Sequence, residues 1–141
     1  EMFSTYKGGK AYLNNKEISV SKRAKLADSL LATGFPYYDF EKLPAYMTLL
    51  SEMMRSCHGV RRIGSAAVDL AYVACGRFEA FYEYNLNAWD VAAGAYLVQQ
   101  AGGRIMNFRG GEEFLNTREI LATNALVDEE MLDALDRNFN T

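Results

Sequence analysis

Residues 2–20 carry short apolar runs (Phe3, Tyr6, then Ala11-Tyr12-Leu13, then Ile18 and Val20) separated by Gly8-Gly9 and Asn14-Asn15. Asparagine tolerates the positive φ of a tight hairpin turn, so this segment predicts strands joined by hairpins. Gly8-Gly9-Lys10 lacks the spacing of a P-loop and reads as a turn. Ser29-Leu30-Leu31-Ala32-Thr33 predicts a buried strand closed by Gly34 and Pro36. Pro44 suits the first turn of a helix running to about Cys57, with Met47, Leu50 and Met54 as its core-facing stripe.

From residue 59 onward strand and helix patterns alternate, which argues α/β layering. A short basic strand (residues 59–63) leads through Gly64 to a helix over residues 65–75. Its stripes, Ala67-Leu70-Ala71-Ala74 and Val68-Tyr72-Cys75, predict burial on both sides, and Gly76 caps it. A strand over 78–84 is followed by a helix from Trp89-Asp90 to Ala101, with Val91, Ala95 and Val98 on one face. Ala92, Ala93 and Gly94 are expected to allow close packing there. Strands over 104–108 and 119–123 flank a Gly110-Gly111 turn. The last helix, 128–139, opens on Asp128, Glu129 and Glu130, the charge sign that a helix N-terminus prefers.

With 141 residues, half of them hydrophobic, the chain predicts one domain that needs neither disulfides nor metals to fold. A net charge of −3 with scattered basic residues predicts no nucleic-acid partner. Cys57 and Cys75 lack zinc or redox spacing and read as small buried hydrophobes, and the single His58 cannot build a histidine metal cluster. The apolar stretch over 91–103 is too short to cross a bilayer, so no membrane partner is expected. The absence of a signal peptide or sequon points to the cytoplasm. The chain begins with Glu1 rather than Met, which suggests a piece of something longer.

Chemistry has two candidate places. Gly64-Ser65-Ala66 stands at a strand-to-helix junction, where small residues leave helix N-terminal amides uncovered for an anion or a hydroxyl. The simpler reading is a turn and an N-cap. Glu83 and Asp90 bracket the next strand-to-helix connection, and carboxylate oxygen there suits a hard cation such as Mg²⁺. The simpler reading makes Asp90 a helix cap and leaves Glu83 solvated. Both places lie at strand ends, where open α/β sheets bind ligands. Asp69, inside an apolar helix, needs a partner that the sequence does not reveal.

Trp89-Asp90-Val91-Ala92-Ala93-Gly94, trailed by Gln100-Ala101-Gly102-Gly103, resembles the carboxy-terminal signature of the inositol monophosphatase family. The stretches around Thr33-Gly34-Phe35-Pro36-Tyr37, Arg62 to Leu70 and Phe81-Tyr82-Glu83, and the opening hairpin, resemble its bacterial branch. The resemblance implies the carboxy-terminal part of a layered αβαβα sugar-phosphatase sandwich, a mixed sheet with helices packed on it. It also implies an Mg²⁺-dependent phosphomonoesterase in which activated water attacks phosphorus. By position Asp90 would be catalytic and a metal ligand touching a substrate hydroxyl. Glu83 would accept from inositol or sugar hydroxyls, and Gly64, Ser65 and Ala66 would line the substrate. Trp89 would pack to fix the turn that aims Asp90.

The family's upstream Glu and its Asp-Pro-x-Asp-Gly-Thr segment do not occur here. The chain therefore looks like a carboxy-terminal half, unable to hold roughly two or three Mg²⁺ ions by itself and expected to be inactive alone. The spacing from Glu83 to Asp90 sits nearest the inositol type. Fructose 1,6-bisphosphate and 3′-phosphoadenosine 5′-phosphate are the alternative substrates. A non-catalytic partner-binding module, using an uncovered sheet or Arg61-Arg62, is the alternative class, although that arginine pair reads more simply as a solvated edge. The expected partners are a small phosphate monoester and a second copy in a homodimer, held through an apolar face that includes Tyr46, Met47 and Leu49.

Overall fold

The computed structural model describes residues 1–140. Three short strands, β1 (Phe3–Thr5), β2 (Ala11–Leu13) and β3 (Lys16–Ile18), form an antiparallel sheet. Asn14 and Asn15 both adopt positive φ (48° and 65°) in the β2–β3 turn, the conformation that the Asn pair predicts.

A 3-10 turn (Leu26–Asp28) leads into β4 (Leu30–Thr33), then α1 (Leu43–Ser56), β5 (Gly59–Arg61) and α2 (Ala66–Ala74). Next come β6 (Ala80–Tyr84), α3 (Ala88–Gln100), β7 (Arg104–Met106), the single turn α4 (Phe114–Thr117), β8 (Glu119–Thr123) and α5 (Asp128–Asn138). The second sheet has the order β5-β4-β6-β8-β7. β4 runs parallel to β5 and β6, whereas β8 is antiparallel to β6 and β7.

Strand alternation divides this mixed sheet into two faces. Leu31, Ala80, Tyr82 and Leu121 meet Tyr46, Leu49 and Met53 of α1 and Met131 and Leu135 of α5. Ala32, Phe81, Ile120 and Ala122 meet Leu70 and Val73 of α2 and Val91, Ala95 and Val98 of α3. The small sheet packs on the far side of α2 and α3 through Phe3, Ala11 and Ile18. Four layers result, and both faces of the mixed sheet are covered by helices. The uncovered sheet face that the sequence suggests is therefore not found; exposed apolar groups lie on helices, as at Met47 and Met54, and on loops, as at Tyr37 and Tyr38.

α2 and α3 approach closely because Gly94 faces Leu70: a Cβ at Gly94 would lie 2.6 Å from the Leu70 Cβ. Of the three small residues in that stretch only Gly94 is buried; Ala92 and Ala93 are exposed. Ala67 is exposed as well, and Val68, Tyr72 and Cys75 are half-buried, so α2 has one open side. Cys57 is likewise half-buried. Asp128 does more than meet a helix dipole: it is buried, paired with Arg104 at 2.7 Å and bonded by the Thr123 hydroxyl.

The stripe on α1 lies one residue from where periodicity puts it. Tyr46, Leu49 and Met53 are fully buried, whereas Met47 and Met54 are 49% and 66% exposed. Both sets obey helical spacing, and the neighbouring α5 selects the first. Met53→Ala should cost about 2–5 kcal/mol of stability, whereas Met54→Ala, measured at low protein concentration, should stay within about 0.5 kcal/mol. Equal losses in denaturant melts would reverse the assignment.

Asp69 is 1% exposed, and neither carboxyl oxygen finds a hydrogen-bond partner. Burial pushes it up to about 7, against a smaller opposing pull from Arg62. The folded chain thus keeps a proton that the unfolded chain releases near pH 4, so stability falls as pH rises from about 4 to 7 and then levels. Asp69→Asn should flatten this slope and raise the melting temperature at pH 8 by about 3 °C or more. An unchanged slope in thermal melts across pH 4–8 would contradict the burial argument.

Candidate active-site cleft

The carboxyl ends of β4, β5 and β6 open on a cleft of about 450 Å³. Its floor and walls include Gly34, Gly64, Ser65, Ala66, Glu83 and Asp90. Every site residue that the sequence singles out thus lies on one cavity.

Glu83 shares the face of β6 that carries Phe81, which turns its side chain toward α2 and α3. It is 8% exposed and packs directly over Gly34, where an added Cβ would lie 2.1 Å from the carboxyl carbon. Residue 34 must therefore lack a side chain for Glu83 to reach the cleft. Burial, then repulsion from Asp69, pushes Glu83 up to about 7, with Arg62 opposing and Asp90 adding to the rise. Glu83 is buried rather than solvated.

Gly64 takes φ +97°, which swings the chain from β5 into α2. Ser65 is the N-cap in position but makes no side-chain cap bond, so its hydroxyl and the first amides of α2 are free of that closure. Asp90 is half-buried on the first turn of α3, and its Oδ2 accepts the Asn87 N–H at 2.9 Å. It caps the helix and lines the cleft at once, so the two readings of Asp90 coexist.

Trp89 departs from expectation. Its ring is 81% exposed at the cleft rim and packs into nothing that could aim Asp90, because Val91, Gly94, Ala95 and Val98 form the buried face of α3. The connection is held instead by Arg118, which bonds Asn85, Leu86 and Asn87. Arg62 also lines the cleft, its guanidinium 5.3 Å and 5.7 Å from the Phe35 and Tyr37 ring centres. It is more than a solvated edge. Neither arginine carries a local sequence signal; their roles come from contacts across distant segments.

Asp90 and Glu83 supply the two carboxylates of the cleft lining, the donors a hard cation prefers. One Asp90 oxygen already accepts the Asn87 N–H, and Glu83 is half-protonated near neutrality. Among the described residues no group of three or more His, Cys, Asp or Glu is placed to hold a metal ion. The residues of this chain alone do not fit an Mg²⁺ cage. No helix among them is long and apolar enough to cross a membrane.

Comparison with known proteins gives a consistent picture. The chain is 42% identical over 137 residues to the Nus factor SuhB of Pseudomonas aeruginosa, covering 96% of this chain and 51% of that protein. It is 38% identical over 135 residues to the inositol-1-monophosphatase of Mesorhizobium japonicum, again covering 51% of that protein. The solved structure of the extragenic suppressor protein suhB from Bartonella henselae superposes with a TM-score of 0.91 at 36% identity, over 97% of this chain and 52% of that one. Inositol monophosphatase from Anabaena superposes at 0.86 with 34% identity, over 96% and 54%. The chain thus spans about half the length of the relatives it matches. The inositol monophosphatase family model matches residues 1–138, and the chain belongs to that family.

Proposed function

We propose that this chain forms the hydroxyl-recognising side of a phosphomonoesterase acting on inositol or sugar phosphates. The observation that carries the reading is the convergence of Glu83, the open start of α2 and Asp90 on one cleft at the strand ends. A polyol fits such a lining. Glu83, held in low dielectric, accepts hydroxyl hydrogens strongly once ionised. The Ser65 hydroxyl and the amides near Ala66 offer donors to the substrate's oxygens. Asp90 faces the same space and is assigned a substrate hydroxyl and one place in a divalent-ion site. The other ligands of that site lie outside this chain. The relatives named inositol monophosphatase support the inositol type.

The half of the relatives' length that this chain does not span is assigned to the groove on the outer face of α2 and α3. That groove measures about 720 Å³ and is lined by Phe3, Ala67, Tyr72, Ala93 and Tyr96. A second reading, a partner-binding role, is favoured by the same open groove and by relatives named Nus factor SuhB. Pairing of two copies is assigned to the α1–β5 side, where Met47, Met54 and Ile63 are exposed. Tyr46 and Leu49 are buried in the core and take no part.

The direct test is a panel of inositol, fructose and adenosine phosphate esters, with and without Mg²⁺, assayed on the full-length product of the reading frame that carries this chain. Hydrolysis of inositol phosphates is expected. Glu83→Gln should raise KM about ten-fold, from the loss of a charged hydrogen bond, and Asp90→Asn should act mainly on kcat. The 141-residue chain alone should show no turnover. Activity on no ester, or Mg²⁺-dependent turnover by the chain alone that Asp90→Asn abolishes, would refute the assignment. In sedimentation velocity the chain should run as a dimer and Met54→Asp as a monomer; a clean monomer of the unmodified chain at high concentration would exclude the pairing.

A further inference from the structure

We propose that Arg118 is a positioning residue for Asp90, acting through the Asn85–Asn87 connection; the proposal rests on the cleft assignment above. That connection joins the end of β6 to the start of α3 and so sets where Asp90 stands relative to Glu83. Packing holds it only at Leu86, which rests against the core under α2 and α3; Asn85 and Asn87 are half-buried polar residues and Trp89 is in solvent. One guanidinium ties its three residues together. Arg118 Nε donates to Leu86 O at 3.0 Å, and Nη2 donates to Asn85 O at 3.2 Å and to Asn87 Oδ1 at 3.1 Å. The Leu86 N–H returns a bond to Arg118 O at 3.3 Å.

The clamp reaches the carboxylate through one more bond. The Asn87 N–H donates to Asp90 Oδ2 at 2.9 Å, so a shift of residue 87 moves the donor that orients Asp90. The connection also contains Asn85 in the left-handed region, φ +65°, a conformation asparagine tolerates and which makes the turn out of β6. Arg118 itself sits at φ +59°, ψ +23° as the C-cap of α4, which aims its side chain back across the connection. Glycine takes that backbone conformation more readily. Arginine at this position therefore carries a backbone cost that three side-chain hydrogen bonds offset. Lysine could not replace it: a single ammonium cannot span acceptors on three residues as a planar fork does.

The variants Arg118→Gly and Arg118→Lys separate the parts of this claim. Glycine removes the fork while relaxing the backbone, so the fold survives; lysine keeps the charge and loses the fork. In the 141-residue chain, both should speed amide hydrogen exchange at Asn87 at least ten-fold and displace the Asn87 amide and Asp90 carboxyl resonances. Amides of β6 and the interior of α3 should hold their protection. An unmoved Asp90 resonance in Arg118→Gly overturns the proposal, as does a lysine variant indistinguishable from the unmodified chain, which would leave charge alone as the cause. These readouts need no turnover. Absence of phosphatase activity in the full-length protein would therefore sink the functional reading without touching this one.

Discussion

Strand β6 has no free edge, and helices cover both its faces up to the cleft at its carboxyl end; the site depends on that confinement. It is bonded to β4 on one side and β8 on the other, and all five of its residues are buried. Helices cover it from both directions, so its register admits no slip: a shift of one residue would put Phe81 and Glu83 among the packing of α1 and α5. The carboxylate of Glu83 is thereby fixed at the point where the strand leaves the sheet. Burial that stabilises the fold also raises the proton affinity of Glu83. One constraint supplies both the placement of the group and its chemistry.

Around that fixed strand the cleft is shaped by what is missing. Gly34 carries no side chain and lets Glu83 lie against the end of β4. Ser65 leaves the start of α2 uncapped, and Gly64 makes the reversal that aims α2 at the cavity. Two buried acids, Asp69 and Glu83, stand near one another with Arg62 at the rim as the nearby counter-charge. This arrangement favours a neutral, hydroxyl-rich ligand part over a second anion deep in the pocket.

Features governed by local rules are legible in the sequence. The Asn14-Asn15 hairpin, strand β8 at its observed bounds, and the junctions at Gly64 and Asp90 follow from turn chemistry and short-range pattern. Features governed by distant contacts are not. On α1, two stripes one residue apart satisfy the same period, and only the position of α5 separates Met53 from Met54. The resemblance makes Trp89 an anchor for the turn, yet its place on α3 turns it from the core of this chain. Arg118 acts on a connection some thirty residues earlier, and α4, a single turn, falls below the length at which periodicity speaks.

On the reading proposed above, this chain carries the part of a phosphatase site that recognises hydroxyls, while the cation's cage is completed by residues elsewhere. The most direct measurement is a titration of the isolated chain with Mg²⁺, followed residue by residue in ¹⁵N–¹H correlation spectra. The account predicts only small, linear, non-saturating changes through the millimolar range at Glu83, Asn87 and Asp90. A saturable transition centred on those residues would contradict it, because Glu83 and Asp90 would then be binding the ion without the further ligands assigned elsewhere.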